Sequence, residues 1–240
     1  MGVSAVVLAG GKGKRMQSEV PKQFLLLDGK PVLYYSLMAF EKSRVDSVVL
    51  VCAPGQEEYC RREIVDRFGF TKVIGVVPGG AQRYDSVFCA LRFLKETQEP
   101  EFVMIHDGAR PLLLADSVNH LMESMRDYEA CVLGAPVKDT IQITDATGAV
   151  SLTPKRENLW AAQTPQCFSF PLVYDAYVAM NEEGYTEATD DAMVVVRYSN
   201  TQVQMVFGSY SNIKITTPED LAIAEALLRI RKEELGLRGK

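Results

Sequence analysis

The 240-residue chain lacks any long hydrophobic run and any excess of positive charge. Its longest apolar stretches, residues 47–52 and 192–196, have the length of strands and fall short of the roughly 18 residues that cross a bilayer. Because 26 Lys and Arg face 31 Asp and Glu, the formal charge is −5. This balance argues against a protein that binds nucleic acid or anionic membranes through a broad basic face. An anionic ligand must therefore meet a local basic patch.

Cysteine and histidine are scarce as well, with five and two residues. The cysteines are odd in number and form no C-x-x-C pair, so the sequence indicates neither a disulfide framework nor a cysteine-rich zinc site. We expect them to be buried as small apolar residues. Near the N-terminus the apolar residues precede the first lysines, which is the reverse of a secretory signal peptide. The sequence thus predicts a cytoplasmic protein.

Short apolar runs alternate with longer amphipathic segments, which is typical of a parallel sheet covered by helices. The predicted strands are Val3–Leu8, Ser47–Cys52, Lys72–Val77, Phe102–His106 and Ala130–Pro136. The predicted helices between them are Pro31–Phe40, Gln56–Phe68, Arg83–Leu94 and Ala115–Tyr128. The strands are continuously apolar, so burial on both faces of the sheet is expected.

The second half of the chain begins with a different pattern. Residues 139–144 alternate apolar and polar side chains, residues 145–148 predict a turn, and residues 149–153 can return as the second strand of a hairpin. This arm has little apolar content of its own, so it is either a mobile excursion or a projection that packs on another subunit. Helices at Pro171–Asn181 and Asp190–Arg197, a strand at Gln202–Phe207, and a helix capped by Thr217 follow. No linker or repeat interrupts the chain, which predicts one domain over residues 1–240.

The turn after the first strand is the clearest candidate for a ligand site. Glycines at 10, 11 and 13 let the backbone approach anionic oxygens and point N–H groups at them. Four cations accompany the glycines: Lys12, Lys14, Arg15 and Lys22. The loop is not a Walker A motif, since Leu8 stands where its first glycine is needed and Arg15 replaces the hydroxyl residue. Met16 likewise occupies the third glycine position of a dinucleotide fingerprint. The alternative to a ligand site is that this segment is a solvated turn with exposed cations.

His106 and Asp107 end the fourth predicted strand, where parallel sheets meet their ligands. A carboxylate at this place can hold a metal ion on a triphosphate. The alternative role of Asp107 is structural, as a cap of the following loop with Arg110 as its ion-pair partner. His106 is expected to be structural, because a His-Asp metallohydrolase needs more histidines than the single other one, His120, can supply.

The glycine loop with Pro21-Lys-Gln23 resembles nucleotidyltransferases that join a sugar or polyol phosphate to a nucleoside triphosphate. Further motifs, in order along nearly the whole chain, are similar to the 2-C-methyl-D-erythritol 4-phosphate cytidylyltransferases. They are Gly79-Gly80, Arg83-Tyr-Asp-Ser-Val87, His106-Asp-Gly-Ala-Arg-Pro111, Val137-Lys-Asp-Thr140, Arg156-Glu-Asn-Leu-Trp160, Gln163-Thr-Pro-Gln166, Thr189-Asp-Asp-Ala192 and Asn212-Ile-Lys-Ile-Thr-Thr-Pro-Glu-Asp220.

The resemblance implies a three-layer α/β/α nucleotidyltransferase fold, whose mostly parallel, Rossmann-like sheet carries a protruding β-hairpin arm at about residues 138–160. It implies transfer of the cytidylyl group of CTP to methylerythritol phosphate, with release of pyrophosphate, for isoprenoid precursor synthesis. Mg²⁺ is the implied cofactor, CTP and a polyol phosphate are the substrates, and the arm joins a homodimer. Neither nucleic acid nor a membrane is an expected partner.

The resemblance also assigns roles to individual residues. The residues expected in catalysis are Arg15, Lys22, Arg156 and Lys214. Those expected to bind CTP are Ala9, Gly10, Gly11, Gly80, Ser86 and Asp107, with Asp107 also as the metal ligand. Those expected to bind the polyol phosphate are Asp107, Arg110, Thr140, Arg156, Thr164, Thr189 and Lys214, with Thr140 and Arg156 reaching the site of the neighbouring subunit.

Two departures from the family pattern leave alternatives open. The loop reads Leu8-Ala-Gly-Gly11 where the family often has Pro-Ala-Ala-Gly, and Ala81 stands where an acidic residue is common. Both resemble the ribitol 5-phosphate cytidylyltransferases, so synthesis of CDP-ribitol is the alternative reaction. An inactive nucleotide-binding regulatory module is the alternative of another class. The co-occurrence of Arg15, Lys22, Asp107 and Lys214 argues against such a module, because binding alone does not require stabilisation of a transition state.

Overall fold

The computed structural model describes residues 2–11, 13–16, 18, 20–234 and 236. The strands are β1 (Val3–Ala9), β2 (Leu26–Leu27), β3 (Lys30–Pro31), β4 (Ser47–Cys52), β5 (Val73–Pro78), β6 (Phe102–Asp107), β7 (Ala130–Pro136), β8 (Ile143–Thr144), β9 (Val150–Leu152), β10 (Trp160–Ser169) and β11 (Gln204–Phe207). The helices are α1 (Val32–Glu41), α2 (Glu57–Tyr59), α3 (Arg83–Thr97), α4 (Ala115–Ser124), α5 (Phe170–Glu183), α6 (Asp191–Tyr198) and α7 (Pro218–Glu234).

Seven strands form the central sheet in the order β11-β7-β10-β6-β1-β4-β5. All neighbouring pairs are parallel except those of β10, which runs antiparallel to both β6 and β7. The predicted α/β class with a mostly parallel sheet is therefore confirmed. All residues of β4 and β6 are buried, as their continuous apolar sequences predict.

Helices cover both faces of this sheet, as the alternation of side chains along β1 illustrates. Ala5 and Val7 belong to one apolar cluster, which includes Leu37 and Phe40 of α1. Val6 points the other way, into a cluster that includes Leu91 of α3. Successive residues of a strand face opposite sides of the sheet, so two apolar layers separate the sheet from its helices.

A third apolar cluster joins α7 to the chain around the glycine loop. Its buried members are Met16, Leu27, Val32, Leu112, Ile215, Ala224 and Leu228. Met16 follows the glycine loop and Ile215 follows Lys214, so their burial together brings two distant cationic segments to the same place. Apolar burial of this kind is non-directional but large, and here it positions the candidate site.

Three predicted elements differ in the structure. The segment predicted as the helix Gln56–Phe68 continues from α2 into a π-helical stretch at Cys60–Asp66, and α4 ends at Ser124. The predicted hairpin pairs only β8 with β9, and every residue from 138 to 153 is exposed. Of the cysteines, Cys89 is half-buried and the others are buried as expected. In the described ranges, none of the helices has both the length and the apolar character to cross a membrane.

β10 is the strand of the central sheet that the sequence analysis did not predict. Its residues Gln163 to Gln166 are polar and include Pro165, and proline is rare inside strands because it cannot donate to the ladder. The structure accommodates them because the pairing with β7 shifts in register between Ala162 and Gln166. Gln163 donates to the carbonyl of Ser209 and Gln166 to Asp190, whereas Thr164 contacts Asp107 of β6.

Candidate functional site

A cavity of about 750 Å³ opens where β1, β4, β5 and β6 end. The glycine loop, the segments after β4 and β5, and the side chains of Lys22, Asp107 and Lys214 form its walls. The volume lies within the roughly 300–1,000 Å³ of small-molecule sites. Its place at the carboxyl ends of parallel strands is where α/β sheets bind their ligands.

The glycine loop forms one wall of the cavity. Gly13 has φ of +60°, a conformation that glycine adopts without strain. A Cβ atom at Gly11 would meet no atom of the described residues within 4 Å, so packing does not require a glycine there and the backbone faces open space. The buried Gln23 fixes the start of the loop, because its Nε2 donates a hydrogen bond to the Ala9 carbonyl at 2.6 Å. The predicted roles of Lys12 and of the Lys14 side chain lie outside the described residues.

Lys22 connects this wall to the C-terminal part of the chain. Its Nζ donates to the carbonyl oxygen of Ile215 at 2.9 Å. Burial, followed by repulsion from Lys214 and a smaller repulsion from the exposed Arg15, lowers the pKa of Lys22 to about 8. A lysine whose affinity for protons is lowered by burial and by neighbouring cations lies where a polyanion would be attracted.

Asp107 lies at the centre of the charged groups. Lys214 Nζ is 2.7 Å from Oδ2 of Asp107, Arg83 Nε is 3.2 Å from Oδ1, and Arg110 Nε is 3.8 Å from Oδ2. Burial by itself raises the pKa of Asp107, but Arg83 and Lys214 outweigh it and hold the pKa well below the usual range. The carboxylate is therefore ionised at neutral pH. Arg110, the partner expected for a structural role, makes the longest of the three contacts.

The backbone of Asp107 is held by β10. Its N–H donates to Oγ1 of Thr164 at 3.0 Å, and the same hydroxyl lies 3.0 Å from Nδ1 of His106. The Thr164 hydroxyl, with one proton and two lone pairs, can thus serve the Asp107 N–H and the imidazole together. Burial lowers the pKa of His106 to about 3, so the ring is neutral and structural. Contact of Thr164 with a polyol stays a prediction, and its hydroxyl already has two partners.

The loop between β5 and α3 forms the opposite wall. The N–H of Gly80 donates to Oγ of Ser86 at 3.1 Å, and that hydroxyl donates to the Gln82 carbonyl at 3.0 Å. A Cβ atom at Gly80 would lie 2.2 Å from Cβ of Asp85, so no side chain fits there. Ser86 thus holds the loop, and Gly80 leaves backbone groups of this wall open to a ligand.

Besides Thr164, five predicted residues do not line the cavity, and one of them, Arg15, is exposed. Arg110 donates from its NH1 to the carbonyl of Asn212 at 2.7 Å and is largely buried behind Asp107. Thr140 is exposed in the arm, before β8, and Thr189 is exposed before α6. Arg156 lines a separate depression with Lys155 and Trp160. The structure of one chain therefore brings Ala9, Gly10, Gly11, Lys22, Gly80, Ser86, Asp107 and Lys214 together.

The sequence analysis missed Arg83, which lines the cavity and contacts two buried carboxylates. A signal was available: Arg83 is the first residue of α3, where the positive end of the helix dipole disfavours a cation. An arginine there implies acidic partners from elsewhere in the fold. Those partners are Asp107 and Asp191, which are distant in sequence and could not be named from spacing.

A metal ion would find one carboxylate in the described cavity wall, that of Asp107. The described part of the chain contains no group of three His, Cys, Asp or Glu that could hold a metal. Mg²⁺ keeps several waters and is commonly bound by one or two carboxylates together with substrate phosphates. The donor set thus fits a Mg²⁺ ion that arrives on a phosphorylated ligand and does not form an all-protein cage.

Comparison with known proteins identifies the family of this chain. Residues 3–230 match the family described as 2-C-methyl-D-erythritol 4-phosphate cytidylyltransferase. The cytidylyltransferase of that name from Lachnospira eligens is 47% identical over 228 residues, covering 94% of this chain and 99% of the relative. That of Pelotomaculum thermopropionicum is 44% identical, covering 99% and 98%.

A solved structure, the 4-diphosphocytidyl-2C-methyl-D-erythritol synthase of Anaerococcus prevotii, is similar with a TM-score of 0.82 and 29% identity, covering 95% of this chain and 96% of that one. Sequence and architecture thus agree over nearly the whole length. The chain belongs to the 2-C-methyl-D-erythritol 4-phosphate cytidylyltransferase family.

Proposed function

We propose that the protein transfers the cytidylyl group of CTP to 2-C-methyl-D-erythritol 4-phosphate, giving 4-diphosphocytidyl-2-C-methyl-D-erythritol and pyrophosphate. The observation that carries this proposal is the meeting of the glycine loop with Lys22, Asp107 and Lys214 in one cavity. The family membership supplies the two substrates. The reaction belongs to the non-mevalonate synthesis of isoprenoid precursors.

The chemistry requires cations more than a base. An oxygen of the acceptor phosphate forms a bond to the α-phosphorus of CTP, and the bond from that phosphorus to the β-phosphate oxygen breaks. Two polyanions must approach, and negative charge grows on the leaving pyrophosphate, so positioned cations lower the barrier. Lys22, Lys214 and Arg15 take this role, and N–H groups of the glycine loop bind the triphosphate. The acceptor phosphate is already a competent nucleophile.

Asp107 is the residue that would hold Mg²⁺ on the nucleotide phosphates. The bound ion would neutralise phosphate charge and make pyrophosphate a better leaving group. The protein's own contribution is to keep Asp107 ionised and fixed, through Lys214 and Arg83 on its side chain and Thr164 on its backbone. Ala9, Gly10 and Gly80 offer backbone groups to the pyrimidine.

An acceptor comparison tests the proposed reaction. CTP and Mg²⁺ are supplied with either methylerythritol phosphate or ribitol 5-phosphate, and pyrophosphate release is measured. We expect release with methylerythritol phosphate. Release only with ribitol phosphate would assign CDP-ribitol synthesis to the protein, and CTP binding without release under both conditions would indicate the regulatory module.

The pH dependence of kcat/KM for CTP should report the ionisation of Lys22. Its pKa is lowered to about 8 in the free protein, and the protonated amine is the form that attracts the triphosphate. Above about pH 8, kcat/KM should therefore fall about tenfold per pH unit. The control is Lys22→Arg, whose guanidinium stays charged; a profile that still falls in this variant would show that another group titrates.

The arm supports assembly as a homodimer. Four apolar side chains of this short hairpin are 41–60% exposed; they are Ile141, Ile143, Val150 and Leu152. A two-stranded hairpin is marginally stable alone, and clustered exposed apolar residues mark an interaction surface. In the proposed dimer each arm packs on the partner and carries Thr140 and Arg156 to the polyol phosphate in the partner's cavity.

Arg156→Ala should raise the KM for methylerythritol phosphate about 10- to 100-fold, the effect of losing one hydrogen bond to a charged group. The dissociation constant for CTP should stay unchanged, because Arg156 is outside the cavity that binds the nucleotide. Steady-state kinetics and calorimetry measure the two quantities. The control is Arg44→Ala, which removes an exposed arginine paired with Glu123. Loss of CTP binding in Arg156→Ala would contradict the role of the arm.

A further inference from the structure

Arg83 bridges two carboxylates that belong to different parts of the fold. Its NH1 and NH2 donate to both oxygens of Asp191, at 2.9 and 2.7 Å. Its Nε donates to Oδ1 of Asp107 at 3.2 Å. The planar guanidinium thus donates to two carboxylates at once, from NH1 and NH2 to Asp191 and from Nε to Asp107. The single ammonium group of a lysine cannot do this.

Asp191 is a rigid anchor for this arginine. The residue is fully buried, and its Oδ1 also accepts the hydroxyl proton of Tyr177 at 2.5 Å. Its backbone N–H donates to Oε1 of Gln166 at 3.0 Å, while the neighbouring Asp190 caps α6 by accepting from the N–H of Met193. Each partner is itself held, so the guanidinium has little freedom to move.

The position of Arg83 carries no benefit for its own helix. Gln82 and Asp85 already form a capping box at the start of α3, and a cation at the first helical position is opposed by the helix dipole. The ion pairs with Asp191 and Asp107 compensate this unfavourable interaction of the Arg83 charge with the helix dipole. The arginine is therefore placed there for what it does to those carboxylates.

We infer that Arg83 is a positioning residue that fixes the orientation of the Asp107 carboxylate for the transfer reaction. By occupying Oδ1 it leaves Oδ2 to Lys214 and to the cavity. Without Arg83, the carboxylate of Asp107 can rotate so that both of its oxygens face Lys214 and Arg110. In that orientation it would hold the lysine away from the reacting phosphates. This inference rests on the proposed function for its kinetic consequences, whereas the orientation itself is a property of the protein.

The main test is the double variant Arg83→Met/Asp191→Asn. Arg83→Met alone would leave the buried Asp191 without its positively charged partner, which is strongly destabilising. The double variant removes one charge of each sign, so the net charge near the cavity is unchanged. We expect kcat to fall about 10- to 100-fold, the scale of a misplaced catalytic group.

Two further variants distinguish positioning from a structural role. Arg83→Lys keeps the charge but cannot hold both carboxylates, so its kcat should stay low. Arg197→Met removes an exposed ion pair between α6 and Glu183 of α5 and should have wild-type kinetics. Wild-type kcat in the double variant, with stability above that of Arg83→Met alone, would overturn the inference, because it would assign Arg83 to stability only.

A crystal structure of the double variant gives a readout that is independent of activity. The Asp107 carboxylate should turn toward Lys214 and Arg110, and an unchanged orientation would overturn the inference. If the wild-type protein releases no pyrophosphate with either acceptor, the proposed function fails, and this orientation still decides the role of Arg83.

Discussion

Lys214→Met is expected to lower kcat for cytidylyl transfer about 100- to 1,000-fold, the usual effect of removing one group that stabilises transition-state charge. Lys214 Nζ lies 2.7 Å from Asp107 and lines the same cavity as Lys22. With a side chain 35% exposed, it can shift its contact from the carboxylate to a phosphate. Rapid-quench measurement of pyrophosphate formation would give the chemical step directly.

The fold should survive this change, because Asp107 keeps its contacts with Arg83 and Thr164. The matched control is Lys232→Met on α7, which removes a lysine paired with Asp28 on the surface and should leave kcat unchanged. A Lys214→Met protein that retains more than about a tenth of the wild-type kcat would contradict the electrostatic role, since that loss corresponds to only about 1.4 kcal/mol.

Mixing two variants that are nearly inactive at a subsaturating concentration of methylerythritol phosphate should restore activity if the site is shared between subunits. Lys22→Ala damages the cavity and Arg156→Ala damages the arm. In a mixed dimer, one site combines the intact cavity of the Arg156→Ala chain with the intact arm of the Lys22→Ala chain. Random exchange makes about half of the dimers mixed, each with one intact site of two, so activity should reach about a quarter of the wild-type value.

A second mixture makes this test specific. Lys22→Ala and Lys214→Ala both damage the cavity of their own chain, so their mixed dimer has no intact site and should stay inactive. Recovery in this control would indicate that the two lysines serve different chains. No recovery in the first mixture, with subunit exchange verified by native mass spectrometry, would contradict a site completed by the arm.

Much of the fold could be predicted from local sequence. Ser47–Cys52 and Ala130–Pro136 are strands over the predicted residues, because continuous apolar runs of strand length have few other uses in a helix-covered sheet. α3 begins at the predicted Arg83. Some observed boundaries differ from the predicted ones: α4 ends at Ser124 and not at Tyr128. The end of a helix depends on how its last turn packs, which apolar spacing does not specify.

The candidate site was predictable in part. Glycines and a lysine after a first strand indicate a loop for anions whatever the rest of the fold does. Asp107 follows from its place at the end of a strand. Arg83, by contrast, is explained only by Asp191, and the buried hydroxyl of Thr164 only by the pairing of β10 with β6. A polar strand containing Pro165 gives no local indication of a central position.

The sequence by itself determined the α/β class, the glycine loop and the supply of cations, because these depend on contacts between near neighbours and on side-chain chemistry. Only the tertiary structure decided which cations meet: Lys22 reaches the carbonyl of Ile215 across 193 residues of chain, and Arg83 reaches Asp191 across 108. The physical reason is that burial of the apolar clusters, which is non-directional, brings these segments together. Charged groups then find their partners only at the places that packing allows.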